Sequence, residues 1–152
     1  MESALVVIGN LPVDCVWLAE MAKEFGWTLE RAADLVHLKA ISMDYDPMVV
    51  LFDSTGLQEP YQRTLQIILD VAPGALPIVC QRFSDAIPWT DLAEAGAFHS
   101  LRLPFDAREV RQSLGFAWSI QCARLNNTVL PPRLASARGP APFRTRAVGN
   151  VA

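Results

Sequence analysis

Several residue types and patterns that would define a function are scarce or missing in this 152-residue sequence. There are three cysteines, Cys15, Cys80 and Cys122, an odd number with no CxxC pair and no Cys/His spacing. That excludes a disulfide framework or zinc knuckle and predicts buried, reduced thiols. The two histidines, His37 and His99, lack a second ligand at metal-binding spacing, so no metal centre is expected. Gly9 has no partner glycine at Rossmann or Walker spacing, which argues against a nucleotide-phosphate loop. No apolar run approaches the roughly 18–20 residues that span a bilayer. Met1-Glu2-Ser3 lacks the basic start of a secretory signal, and the run Ala4 to Ile8 is too short for one. A cytoplasmic protein is expected.

Acid is missing from one end. Residues 1–109 hold all sixteen Asp and Glu against seven Lys and Arg, a net −9, whereas residues 110–152 hold six arginines and no acid. Such asymmetry is of the kind that can mark a tail with a partner. Hydrophobic residues make up 51% and charged ones 19%, enough apolar material for one buried core.

The apolar residues come in short runs. Ala4 to Ile8, Met48 to Phe52 and Leu76 to Cys80 are continuous and rich in β-branched residues, as strands covered on both faces must be. Trp27 to Arg31 and Ser100 to Leu103 read as shorter strands. Between them lie helical patterns: one after Pro12 that stops at Gly26, another over Ala33 to Met43, and a third opened by Pro60 and stopped by Pro73-Gly74. A short helix capped by Thr90 or Asp91 ends at Gly96. A last one starts at the capping-box pair Asp106 and Glu109 and runs to about Leu125. Five strand–helix alternations imply an α/β fold, a parallel sheet with helices on both faces. In such sheets the site lies beyond the carboxyl ends of the strands. Gly9-Asn10, Asp53, Gln81-Arg82 and Leu103-Pro104 fall there. Residues 1–125 are read as the domain and 126–152, with Pro131, Pro132, Pro140 and Pro142 and no acid, as a disordered tail.

Over about residues 4–124 the sequence resembles the receiver domain of bacterial response regulators. The resemblance is carried by Val6-Val-Ile-Gly-Asn-Leu-Pro12, Asp46-Pro-Met-Val-Val-Leu-Phe-Asp53, Ala93-Glu-Ala-Gly-Ala97 and Leu101-Arg-Leu-Pro-Phe105. It implies a flavodoxin-like (βα)5 fold, a five-stranded parallel sheet of order 2-1-3-4-5. It also implies that Asp53 stands at the position that accepts a phosphoryl group from a histidine kinase.

The rest of that machinery departs from the family pattern. Two carboxylates after the first strand help to hold Mg²⁺ in the family, and Gly9 and Asn10 stand there instead. Magnesium demands hard oxygen ligands, so one acid and an amide are a poor cradle and Mg²⁺ binding is expected to be weak or absent. The family's lysine after the fifth strand corresponds to Leu103, which neither neutralises phosphoryl charge nor donates a hydrogen bond. The hydroxyl position falls on Gln81 or Arg82 and the aromatic position on Ser100. No residue is assigned a catalytic role, no cofactor is expected, and the chain is not read as an enzyme.

The expected function is therefore that of an atypical receiver, a pseudo-receiver acting in signal transduction through protein contact. The alternative is a phosphoacceptor in which Asp53 works by non-standard chemistry, with Arg82 replacing the lysine's charge. Otherwise Asp53 is a retained carboxylate, solvated or paired with an arginine, and its pairing with Arg82 could fix a permanently on or off surface. A third, weaker reading is a small-ligand binder using the vacated pocket around Gly9, Leu11 and Leu103. The last helix carries two apolar stripes where packing on a sheet needs one. Val110, Leu114, Ala117 and Gln121 form the first; Phe116, Ile120 and Ala123 form the second, Trp118 and Cys122 extend the arc, and Phe116, Trp118 and Ile120 are the candidate interaction face. The partners expected are proteins: a histidine kinase, another regulator, or a second copy through the face of the fourth and fifth helices. Neither nucleic acid nor membrane is expected, because the core is acidic and the tail's arginines are too dilute for a polybasic cluster.

Overall fold

The structure, a computed structural model, describes residues 2–12 and 14–129. It divides into two compact units, one ending at Ala117 and the other beginning at Trp118. In chain order the elements are β1 (Ser3–Ile8), α1 (Cys15–Glu24), β2 (Thr28–Ala32), α2 (Leu35–Asp44), β3 (Asp46–Asp53) and α3 (Tyr61–Val71). They continue with β4 (Leu76–Arg82), a 3-10 turn (Phe83–Asp85), α4 (Trp89–Glu94), β5 (His99–Leu103) and α5 (Ala107–Val129). All five strands are parallel, in the order β2-β1-β3-β4-β5. This is the flavodoxin-like (βα)5 arrangement that the sequence implies.

Side-chain alternation along each strand builds two cores. Leu5, Val7, Leu51, Ile78, Cys80, Leu101 and Leu103 pack with Leu18 and Met21 of α1 and with Val110 and Leu114 of α5. Val6, Ile8, Val50, Phe52 and Val79 face the other way, against Leu38 of α2, Leu65 and Ile68 of α3 and Leu92 of α4. Because the period along a strand is two, Asp53 shares the face of Leu51, and Arg82 that of Cys80. That parity brings these two polar residues together at the sheet's edge.

Three local expectations are corrected. Neither Thr90 nor Asp91 caps α4; the helix opens after Pro88, whose ring already sets a suitable backbone, and no side chain caps it. The capping box of α5 is only half formed. Asp106 Oδ1 accepts from the backbone N–H groups of Arg108 and Glu109, but Glu109 Oε1 accepts from the N–H of Arg102. β5 is an edge strand, and Glu109 serves a backbone donor there. Of the three thiols only Cys80 is buried; Cys15 and Cys122 are partly exposed.

Helix α5 runs to Val129, a few residues past the expected end near Leu125. Asn126-Asn-Thr-Val contains no breaker, and the first residues that oppose a helix are Pro131 and the residue before it. The rest of the anticipated tail, from 130 onward, lies outside the described residues.

Candidate functional site

The strand ends place Asp53 at the carboxyl edge of β3, only 7% exposed. Both oxygens of its carboxylate are engaged. Oδ1 accepts from the backbone N–H of Thr55 at 3.0 Å and from the Thr55 hydroxyl at 3.1 Å. Oδ2 meets Nη1 of Arg82 at 2.9 Å. The Asp-Ser-Thr-Gly sequence explains the first half, since an aspartate readily accepts from a backbone group two residues on. Gly56 completes the turn: its N–H donates to the Asp53 carbonyl, and a Cβ there would lie 3.0 Å from Asp53 Cβ.

Arg82 supplies the second half because β4 runs two residues beyond Cys80. Of the neighbouring pair Gln81 and Arg82, it is Arg82 that faces Asp53. Gln81 points to the opposite face, where its Oε1 accepts from the N–H of Ile87 at 2.9 Å across the β4–α4 connection.

At the end of β1, Gly9 has φ +75° and its N–H donates to the Ala32 carbonyl. A side chain here would adopt a left-handed backbone and meet Leu57 Cδ2 at 3.2 Å. Leu57 of the β3–α3 connection thus lies close to where a side chain at position 9 would begin. Asn10, next to it, is exposed. The Gly9 carbonyl is held instead by Arg31, whose Nη2 lies at 2.9 Å while its Nη1 donates to Cys15 Sγ at 2.6 Å. Two guanidinium groups therefore stand at the strand ends, one beside Gly9 and one on Asp53.

Leu103 is 6% exposed and packs within the core on the α1/α5 side, and so does Leu11. Ser100 is partly exposed on β5, opposite Val79. Among the described residues no group of three His, Cys, Asp or Glu side chains is arranged to hold a metal ion. Cys80 sits directly beneath the site, paired in register with Asp53. Burial pushes its thiol well above the ordinary range, and the negative charge of Asp53 pushes it further.

Of the anticipated interaction face, Phe116 in the first unit is 53% exposed; in the second unit Trp118 is 44% and Ile120 37% exposed. The residues that sequence reasoning missed are Thr55, Leu57 and Arg31. For Thr55 the signal was present in the Asp-x-Thr-Gly turn. Leu57 and Arg31 act across the sheet's edge and leave no local pattern.

This arrangement defines an α/β protein with the receiver fold. Among solved structures the chain is similar to a CheY-like response regulator receiver domain protein from Methanospirillum hungatei, at TM-score 0.65 and 14% identity over 82% of this chain and 99% of that one. It is similar also to the signal receiver domain of an HD domain-containing protein from Pseudomonas fluorescens, at TM-score 0.65 and 17% identity over 81% and 99%. A protein of Burkholderia pseudomallei described as pilus assembly-related matches at TM-score 0.57 and 19% identity, over 78% and 90%. No protein-family model and no curated protein matches the chain.

Proposed function

We propose that this chain is a pseudo-receiver: a receiver-fold module that works in two-component signal transduction through protein contact, without Mg²⁺-dependent phosphoryl transfer. The observation that carries this reading is the occupancy of Asp53. Its carboxylate already has a cation, Arg82, and a closed turn, Thr55, on its two oxygens. A magnesium ion would have to share Oδ2 with the guanidinium or displace it, and would find a glycine at position 9 where a second acid is required. Catalysis of phosphoryl transfer rests on positioning and charge neutralisation, and Leu103 contributes neither to the site.

The retained aspartate with a cation at 2.9 Å supports a second reading, in which Arg82 neutralises the phosphoryl group and Asp53 is modified without metal. Intact-mass measurement after incubation with Mg²⁺ and acetyl phosphate separates the two. The pseudo-receiver reading expects an unchanged mass. A phosphoryl adduct absent from Asp53→Asn would replace it with the second. As partners we propose a kinase or another regulator and a second copy of the chain, the latter supported by the exposed Phe116 ring on α5.

A further inference from the structure

Two loops meet at Asp53. The β3–α3 connection is tied to Oδ1 through the N–H and hydroxyl of Thr55, and the start of the β4–α4 connection is tied to Oδ2 through Arg82. Arg82 is the last residue of β4 and is followed at once by the Phe83–Asp85 turn. The base of that loop is bridged by Gln81 Oε1 and the Ile87 N–H, and the Phe83 ring lies 5.8 Å from the Arg102 guanidinium of β5. Contacts thus run without a break from the carboxylate, through Arg82 and Phe83, to the edge strand.

We propose that Asp53 acts as a two-sided clasp whose oxygens separately fix these two loops, so that the site's conformation is set without any chemical event on the carboxylate. This rests on the pseudo-receiver reading and deepens it by assigning what the retained aspartate does. A side chain with one acceptor and one donor tells the two halves apart. In Asp53→Asn the amide oxygen still accepts from Thr55, but the amide N–H₂ confronts the Arg82 donor and that half is lost. Arg82→Ala removes the same half from the other side. Asp53→Ala removes both.

Amide-resolved hydrogen exchange of the full chain reads each half. Thr55 and Gly56 report the first loop, and Ala86 and Ile87, whose N–H groups donate to the Phe83 carbonyl and to Gln81, report the second. In Asp53→Asn and in Arg82→Ala, exchange at Ala86 and Ile87 is expected to rise about tenfold or more, with Thr55 and Gly56 within about twofold of the parent. In Asp53→Ala all four amides are expected to accelerate. Equal acceleration of both loops in Asp53→Asn, or no change at Ala86 and Ile87 in either of the first two variants, would overturn the proposal. Those two variants suffice should Asp53→Ala fail to fold. The phosphodonor mass experiment on the parent chain stays independent, so a failed clasp and a failed pseudo-receiver reading give different results.

Discussion

At the scale of single residues, the site is defined by replacements that change chemistry and geometry together. Gly9 brings no side-chain oxygen to the strand ends and admits a left-handed turn, with Leu57 close by. Arg82 brings a positive charge 2.9 Å from the acid it faces. Beneath them, Cys80 has a consequence that can be measured. Its thiol stays protonated in the folded protein above the ordinary value of 9.0, because burial and Asp53 both disfavour the thiolate. Above that pH the unfolded chain gives up the proton and the folded chain keeps it, so fewer protons are bound on unfolding. Stability is therefore fully retained below about pH 9 and falls above it, at up to about 1.4 kcal/mol per pH unit from this group. Urea midpoints measured between pH 8 and 10 should decline more steeply in the parent than in Cys80→Ala. Equal slopes in the two proteins would remove the thiol from this part of the pH profile.

At the scale of elements, the order of strands and helices was legible because each strand is a compact apolar run bounded by turn residues. The strand ends were less so. β3 begins at Asp46 and β4 continues to Arg82, since polar residues at a sheet's rim pair through their backbone whatever their side chains prefer. That extension decided the site: with one residue's uncertainty in β4, parity alone could place either Gln81 or Arg82 on Asp53. Of the clasp, the Asp53–Arg82 half, between residues 29 apart, was open to view once both were placed at strand ends, while the Thr55 half was missed although the Asp53-Ser-Thr55-Gly56 turn signals it. Leu57 over Gly9 and Arg31 on the Gly9 carbonyl had no local signal at all. In α5 Val110, Leu114 and Ala117 of the first stripe are buried and Gln121 is half-buried, while Phe116 stays 53% exposed. Sedimentation velocity of the full chain over a concentration series tests what that ring does. A concentration-dependent dimer that weakens at least about tenfold in Phe116→Glu is expected, because a charge at the centre of an apolar contact costs about 1.4 kcal/mol or more. A parent chain that remains monomeric throughout would count against self-association through this face.

At the scale of the whole molecule, parallel strands gather their carboxyl ends at one edge, and what collects there sets the function. In this chain that edge holds Asp53, the guanidinium groups of Arg31 and Arg82, a left-handed glycine and buried leucines. No helix among the described residues is long and apolar enough to cross a membrane. The fold is that of a receiver, yet Asp53 is neutralised from within: its charge is met by Arg82. Titration calorimetry of the full chain with MgCl₂ probes that neutralisation most directly. No saturable heat is expected across the millimolar range, in the parent or in Asp53→Asn. Saturable uptake of one magnesium ion per chain, abolished by Asp53→Asn, would mean that the arginine yields its place and that the edge is a working cation site.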